Sequence, residues 1–312
     1  MNTKANNFAL TVVMLLALMV QPVLAAQSVG INRMTVPANT DVRITLPFNQ
    51  QTEGEYTVNT VTGSGVTVSA SLPVGAYAGI YLVRFTSGAS EGLWSTIVSN
   101  DVHDIDLVDM DVKNEIAAGD TFRIIKHHTL RSVFPANMDG VSYNSNCQVL
   151  IWVNDLSAMG QNRSHLKTAY YLGGNWVGSG ISNNTILTPE TMFVLRNASI
   201  SPLQLSTLGV VPDYTVSMLI AADGDLVIGS GYPVPVTLNN AGIGGTGRIA
   251  LLYDNSRPGY NNSNLKTAYY YPGPGWVGAG IVEDEPINPS ESITFRLPTI
   301  ETGTRIFINK PY

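Results

Sequence analysis

The chain has 312 residues, a net charge of −6 at pH 7 and a single cysteine. The acidic balance argues against a nucleic-acid partner, which would favour a basic surface, and one cysteine excludes an internal disulfide framework. Charged residues make up 13% of the chain, against about 25% in an average soluble protein. A surface with so few charges permits self-association, because like charges repel little.

The N-terminal residues have the features of an export signal. Lys4 is the only charge before an apolar run over Phe8–Val20, and small residues then favour cleavage after Ala25 or Ala26. The run is shorter than the about 20 residues that a spanning helix needs. We therefore expect residues 1–25 to be a signal peptide. The mature chain is expected in the periplasm, on the cell surface or in the medium, without a transmembrane helix.

Beyond this signal, the hydrophobic pattern is typical of strands. Short runs rich in Val, Ile, Thr, Tyr and Phe alternate with Gly, Pro, Asn and Asp, whereas helical periodicity is hard to find. Clear examples are Val42–Phe48, Tyr56–Val61, Tyr81–Thr86, Thr121–Ile125 and Val149–Val153. The pattern predicts an all-β protein.

Two segments of the chain are nearly identical. Asn162–Ile181 and Asn261–Ile281 share LKTAYY followed by WVG-x-GI. The residues between AYY and WVG differ in number, and hairpin turns tolerate such changes. AYY…WVG is therefore predicted to be a β-hairpin that occurs twice.

The similarity extends outwards from these hairpins. Gln148–Asp155 aligns with Gly247–Asp254, and Gly119-Asp120 resembles Gly224-Asp225. The pattern predicts an internal duplication that produced two related β-sandwich or barrel-like units. They are expected at about 26–199 and 200–312, with a small β-meander inserted into the first near 50–115.

Matched charged residues recur in the two repeats. Because they are few, we expect them to form a salt bridge or hydrogen-bonded corner within each unit. The pairs are Lys167/Lys266, Asp155/Asp254 and Arg196/Arg296.

The familiar catalytic and cofactor-binding signatures are missing from the sequence. It contains no HExxH, no phosphate-binding glycine loop, no CxxC and no G-x-S-x-G. His127 and His128 would point to opposite faces of a strand, which is a poor geometry for one metal ion. No pair of carboxylates stands out for glycoside hydrolysis, so we expect a non-enzymatic protein without a required cofactor.

An acid-rich stretch offers one alternative, a surface Ca²⁺ site. Its four candidate ligands are carboxylates, which Ca²⁺ prefers: Asp104, Asp106, Asp109 and Asp111. The apolar residues between them change phase at Leu107, so the two acid pairs are expected to face different ways. Ordinary alternation of polar residues towards solvent is the simpler interpretation.

The repeated aromatic residues are the candidates for ligand binding. Sugar rings stack on flat aromatic faces, and two such sites would add avidity. The candidates are Tyr170, Tyr171 and Trp176 with Tyr269, Tyr270 and Trp276. The alternative is that these rings pack across the hairpins as structural pairs.

Several longer segments resemble a known family. They include YLVRFTSGASEGLWSTIVSND, GDTFRIIKHHTLRSVFP, AYYLGGNWVGSG with MFVLRN, and PVPVTLNNAG. Together they resemble a family of exported, β-rich bacterial proteins with an internal duplication and no assigned activity. The resemblance implies an exported β-fold, and the Pro-Gly-Pro-Gly turn after Tyr271 departs from the family's pattern.

Three functional hypotheses follow from these observations. The first is a non-enzymatic surface, matrix or assembly protein, because the β units carry few charges and no reactive site. The second is a carbohydrate-binding protein that holds surface glycans on its Tyr/Trp hairpins. The third, weaker hypothesis is an outer-membrane β-barrel, suggested by the alternating C-terminal residues RIFINKPY.

Overall fold

The computed structural model describes residues 27–108, 112, 114–135, 143, 145–152, 160–162, 164–220, 224–282, 284–289, 291–298 and 304–312. The regular secondary structure of this part of the chain is almost entirely antiparallel β-strand, which confirms the all-β prediction. No helix within these ranges is long and apolar enough to cross a bilayer. The candidate signal peptide and Asp155 lie outside the described residues.

The strands coincide with the β-branched and aromatic segments, and Gly, Pro and Asn occupy the turns. The chain begins with β1 (Val29–Val36) and β2 (Thr40–Ile44). Strands β3 to β9 follow, at Thr52–Thr57, Thr60–Val61, Gly65–Thr67, Tyr81–Phe85, Trp94–Asn100, Asp104–Leu107 and Thr121–Lys126. We call β3–β9 the insertion.

The remaining elements form two further groups. Strand β10 (His128–Thr129) and the short helix α1 (Leu130–Val133) lead to β11–β16, at Gln148–Ile151, Lys167–Leu172, Asn175–Val177, Ile186–Leu187, Phe193–Asn197 and Leu203–Val210. Strands β17–β25 lie at Val216–Ile220, Asp225–Ile228, Val236–Thr237, Ile249–Leu252, Lys266–Tyr271, Gly275–Val277, Pro286–Ile287, Ile293–Arg296 and Thr304–Ile308. We call β1, β2 and β10–β16 the first unit, and β17–β25 the second unit.

The two units repeat the same pattern of strand pairing. In the first unit a five-stranded sheet has the order β13-β12-β11-β15-β2, and in the second the order is β22-β21-β20-β24-β18. Each unit also pairs its first strand with its last (β1 with β16, β17 with β25) and one short strand with another (β10 with β14, β19 with β23). Among the described residues, none of these sheets closes on itself. Descent of both units from one ancestral unit stays our interpretation.

The predicted hairpins are confirmed. Tyr171 lies opposite Trp176 in β12–β13, and Tyr270 lies opposite Trp276 in β21–β22. Each turn uses glycines with positive φ, such as Gly173 at 58° in the first unit, a conformation that costs glycine little because it has no Cβ.

Strand pairing shifts two of the sequence alignments. Gln148 lies opposite Tyr170, whereas it is Ile249, and not Gly247, that lies opposite Tyr269. The Gln148–Asp155 alignment is therefore displaced by two residues from the register of the sheets.

The residue of the first unit that is equivalent to Asp225 also differs from the one that the sequence suggests. Asp225 on β18 lies opposite Arg296, just as Asp41 on β2 lies opposite Arg196. Asp120 instead lies in a turn of the insertion, where its carboxylate accepts hydrogen bonds from Ala117 N and Ser90 Oγ. Asp41 is thus the residue equivalent to Asp225.

The packing also moves the expected boundaries. Strand β9, which ends at Lys126, pairs with β3 and β6, so the sheet of the insertion extends beyond residue 115. Strand β16 pairs with β1, and its Leu203 and Leu205 are buried with the core of the first unit. Within the described chain, each of the three groups has its own main hydrophobic cluster. Cys147 is buried in the cluster of the first unit.

Candidate functional site

The tryptophan of the first hairpin is a core residue. Trp176 is 1% exposed, and its ring lies 5.1 Å from Tyr171, 5.2 Å from Tyr143 and 5.9 Å from Phe134. Its indole Nε1 donates a 2.8 Å hydrogen bond to the backbone carbonyl of Phe134. Packing and hydrogen bonding thus occupy the groups that would contact a sugar.

The tryptophan of the second hairpin is buried too. Trp276 is 4% exposed and packs against Tyr270 at 5.5 Å and Phe295 at 6.4 Å. Its Nε1 is buried and has no hydrogen-bond acceptor among the described residues. Tyr170 and Tyr269 are different, since they are 46% and 45% exposed. A ligand role for the hairpins stays a prediction, and Tyr170 and Tyr269 are the exposed rings among the six candidate residues.

Each hairpin also presents an exposed apolar face. In both units, four exposed apolar side chains lie on the same side of the sheet. Three of them are every second or fourth residue of the first strand and the position just before it, and the fourth lies opposite the exposed tyrosine of that strand. We call these two sets the hairpin faces: Leu166, Tyr170, Leu172 and Val177 in the first unit, and Leu265, Tyr269, Tyr271 and Val277 in the second.

The hairpin face of the first unit continues into the contact between the two units. Leu150 and Val194 lie on the same side of the sheet as Tyr170, and they pack against Val227 of the second unit. The far part of this sheet side is therefore covered, while the part near the hairpin is exposed. At the edge strand, the side-chain oxygen of Asn183 accepts a 2.9 Å hydrogen bond from Trp176 N.

The acid-rich stretch does not gather its carboxylates in the described chain. Asp106 accepts hydrogen bonds from Ser64 Oγ on one oxygen and from Ser99 Oγ, at 2.5 Å, on the other. These bonds hold the pKa of Asp106 below its usual value. Asp104 is exposed on the same strand, and no group of metal-ligating side chains occurs among the described residues. The other two candidate ligands, Asp109 and Asp111, lie outside the described residues.

The matched arginines form a reciprocal contact between the units. Arg196 donates two 2.8 Å hydrogen bonds to Asp41 on the neighbouring strand. Asn261 of the second unit completes the group, because its backbone N donates to Asp41 and its side-chain oxygen accepts from Arg196, both at 2.8 Å. Bonding to Asp41 raises the pKa of Arg196. We call this arrangement the first clasp.

The second clasp reverses the roles of the units. Arg296 donates to both oxygens of Asp225, at 2.6 and 2.8 Å. Asn162 of the first unit donates its backbone N to Asp225 at 2.7 Å and accepts from Arg296 at 2.9 Å. Asn162 and Asn261 have φ angles of 54° and 55°, a conformation that asparagine tolerates better than most residues. Each unit thus supplies a loop asparagine to the Arg–Asp pair of the other.

The matched lysines behave differently from the prediction. Lys266 donates to Glu285 at 2.6 Å, whereas Lys167 is exposed. Asp254 accepts from the backbone N and hydroxyl of Ser256, and this lowers the pKa of Asp254. Among the matched pairs whose two members are both described, the arginines form an equivalent corner in each unit, whereas Asp155 lies outside the described residues.

A buried ion pair joins the insertion to the first unit. Arg84 donates to Glu190 at 2.7 Å and to the carbonyl of Gly92 at 2.6 Å, and its guanidinium lies 5.2 Å from the ring of Tyr214 in the second unit. Burial raises the pKa of Glu190, since loss of solvent outweighs the attraction of Arg84. Burial opposes the charge of Arg84, but the electrostatic attraction of Glu190 and Tyr214 and the hydrogen bond to Glu190 together raise its pKa. Through these contacts Arg84 links the insertion to both the first unit and the second unit.

The two adjacent histidines are structural residues of the same region. His128 Nε2 lies 3.0 Å from the carbonyl of Phe48, and its Nδ1 lies 2.9 Å from Gln50 Nε2, which fits a neutral ring. His127 Nε2 lies 3.0 Å from the hydroxyl of Thr96. Burial lowers the pKa of both histidines to about 4.

Sequence reasoning missed several residues at the contact between the units. The important ones are Asp41, Arg43, Trp152 and Tyr253, since none belongs to the obvious LKTAYY repeat. The sequence does contain a signal for Asp41, because Asp is the second residue both of TDVRI, which forms β2, and of GDLVI, which contains β18. For the others, only the packing of the two sheets brings them together.

Comparisons with known proteins supply no relative. No protein-family model, no curated protein and no solved structure matches this chain. The resemblance to exported β-rich bacterial proteins is untested by these comparisons and stays an expectation.

Proposed function

We propose that this chain is an exported, non-enzymatic assembly protein of a cell surface or extracellular matrix, and that copies of it associate through the hairpin faces. The observation that carries the proposal is the recurrence of an exposed apolar face at the same positions of both units. Contiguous exposed apolar surface often marks a protein–protein contact. The export-like N-terminus and the missing catalytic signatures agree with it.

The occupant that fits each hairpin face is a second copy of this chain. The side of the sheet that carries Tyr170 is already used for a contact between the related units, through Leu150 and Val194. A copy seated on the hairpin end would continue that contact. The low proportion of charged residues adds little repulsion between copies.

Two faces on one chain make the subunit bivalent. A protein with one self-complementary face stops at a dimer, whereas a protein with two faces that do not close into a ring extends into chains. We expect contact through side chains and not by strand addition in the first unit, because Asn183 already caps the edge N–H of Trp176.

The test is sedimentation velocity of the chain without residues 1–26, over a range of concentrations. We expect oligomers whose size grows with concentration. Leu172→Lys should limit the protein to dimers, since one face remains. Leu172→Lys combined with Tyr271→Lys should be monomeric, because each face then carries a charge that association would bury.

The matched control is Ser179→Lys with Ala279→Lys, which adds the same charge at exposed positions just beyond the hairpin faces. The control should associate like the unmodified chain. A chain that stays monomeric at every concentration contradicts the proposal, as does a double face variant that associates normally. Thermal unfolding of each variant verifies that it is folded.

A further inference from the structure

A cleft of about 340 Å³ opens between the facing sheets of the two units. Small-molecule sites are often found between packed elements and have volumes of about 300–1,000 Å³. The buried part of the lining is apolar at Leu150 and Val194 and polar at Asp41. The first clasp contributes Asp41 and Asn261 to the lining, so the contact between the units also shapes the cleft.

Aromatic residues from both units line this cleft. Trp152 directly follows β11 and Tyr253 directly follows β20, so equivalent strands supply both rings. The ring of Trp152 contacts His165 at 5.4 Å, and the guanidinium of Arg43 covers one face of Tyr253 at 3.5 Å. Each ring is only partly buried. The cleft therefore combines two aromatic surfaces with partial access from solvent.

Polar groups with remaining hydrogen-bonding capacity lie beside the rings. Asp254 uses Oδ1 to accept from Ser256, and its Oδ2 has no protein donor in the described part of the chain. Asn262 donates its side-chain amide to the carbonyls of Arg257 and Gly259, and its side-chain oxygen accepts no bond from the described residues. Ser164 adds an exposed hydroxyl. Acceptors and a donor thus occur together at one opening.

The charges of the lining balance and so disfavour an ion. Asp41 is neutralised by Arg196. Arg43 has no carboxylate within ion-pair distance among the described residues, but it donates to the carbonyl of Asn262 and lies on Tyr253, while Asp254 supplies a negative charge to the same cleft. An anion would be attracted by Arg43 but repelled by Asp254, and the reverse holds for a cation, so the lining favours neither sign of charge.

We propose that this cleft binds a short, uncharged oligosaccharide. The C–H face of a sugar ring is apolar and suits the surfaces of Trp152 and Tyr253. Sugar hydroxyls both donate and accept, so they match the mixed groups of Asp254, Asn262 and Ser164. This site is distinct from the hairpin tyrosines, and it is independent of association through the hairpin faces.

The experiment is titration of the folded chain without residues 1–26 with neutral oligosaccharides built from glucose, mannose, galactose or N-acetylglucosamine. Binding is measured by calorimetry and by tryptophan fluorescence. We expect at least one of these sugars to bind and to change the fluorescence of Trp152. Trp152→Leu and Asp254→Asn should each weaken binding at least about tenfold, which corresponds to about 1.4 kcal/mol.

A control separates the cleft from other aromatic surfaces. Tyr170→Ala with Tyr269→Ala removes one exposed ring from each hairpin, and neither ring is part of the cleft lining. This control should bind like the unmodified chain. The proposal is overturned if no neutral sugar binds at millimolar concentration, or if a uronic-acid oligomer binds more tightly than every neutral sugar. It is also overturned if folded Trp152→Leu and Asp254→Asn variants keep full affinity, or if the hairpin double variant is the one that loses it.

Discussion

The first and second units place the same hairpin in different surroundings. Trp176 is enclosed by Tyr143, Tyr171 and Phe134 and donates its N–H to a carbonyl, whereas Trp276 packs against fewer rings and has no acceptor in the described residues. The difference comes from the segment before the central strands. In the first unit it contains helix α1, and the carbonyl of Phe134 at the end of this helix accepts the hydrogen bond of the indole. Strand pairing is thus shared by the units, while the filling of each core is not.

The clasps differ in one respect as well. Arg196 of the first clasp lies 5.0 Å from the ring of Tyr260. The residue that precedes the asparagine of the second clasp is Gln161, which has no ring. The hydrogen bonds of the two clasps are equivalent, and Tyr260 adds a cation–π contact to the first clasp.

Loss of a clasp is expected to have a large effect on stability. Arg196→Met and Arg296→Met should each lower the free energy of unfolding by about 2–3 kcal/mol, because a mostly buried aspartate loses its charged partner. We expect Arg196→Met to cost about 0.5–1 kcal/mol more, since it also removes a cation–π contact. Denaturant unfolding measures both values. Lys167→Met, which removes an exposed charge, is the control, and clasp variants as stable as this control would contradict the assignment.

An effect of similar size for each histidine is expected from pH, and it distinguishes the first unit from the second. His127 and His128 have folded pKa values of about 4, below the ordinary 6.5. The unfolded chain therefore binds more protons between these values, and the free energy of unfolding should fall as the pH decreases from about 6.5 to about 4. Each histidine lowers the free energy of unfolding by at most about 3 kcal/mol over this pH range.

The second unit supplies the variant for this test. His128 lies opposite Leu187 in β10–β14, and Val236 lies opposite Ile287 in the equivalent pair β19–β23. His128→Val should therefore fit the strand and reduce the slope of stability against pH. Denaturant unfolding at several pH values measures the slope. An unchanged slope would show that His128 does not contribute to acid sensitivity.

The smallest effect tests the two tryptophans directly. Trp176→Phe leaves the carbonyl of Phe134 without its donor, whereas Trp276→Phe removes an N–H that has no acceptor in the described chain. We expect Trp176→Phe to be about 1 kcal/mol more destabilising than Trp276→Phe. The two variants control each other, because both make the same change in volume. Equal losses in denaturant unfolding would refute the difference between the two sites.

Much of the local structure could be predicted from the sequence, but the alignment of the repeats could not. Strands and hairpins follow from alternation and from glycine turns, as in AYY…WVG. The displaced alignment of Gln148 with Gly247 has a physical cause. A shift of two residues keeps every side chain on the same face of a strand, so the hydrophobic pattern does not reveal it. The hydrogen-bond register of the sheets instead shows that Ile249 is the residue equivalent to Gln148.

The sequence by itself determined the all-β class, the two hairpins and the pairing of their aromatic residues, because these depend on neighbours within a few positions. Only the tertiary structure decided that Trp176 and Trp276 are buried. It also decided that Asp41 accepts a hydrogen bond from Asn261, although the two residues are far apart in the sequence. It also decided the cleft that Trp152 and Tyr253 line. Such contacts depend on how two sheets pack face to face, and the alternation along each strand is the same whichever partner covers it.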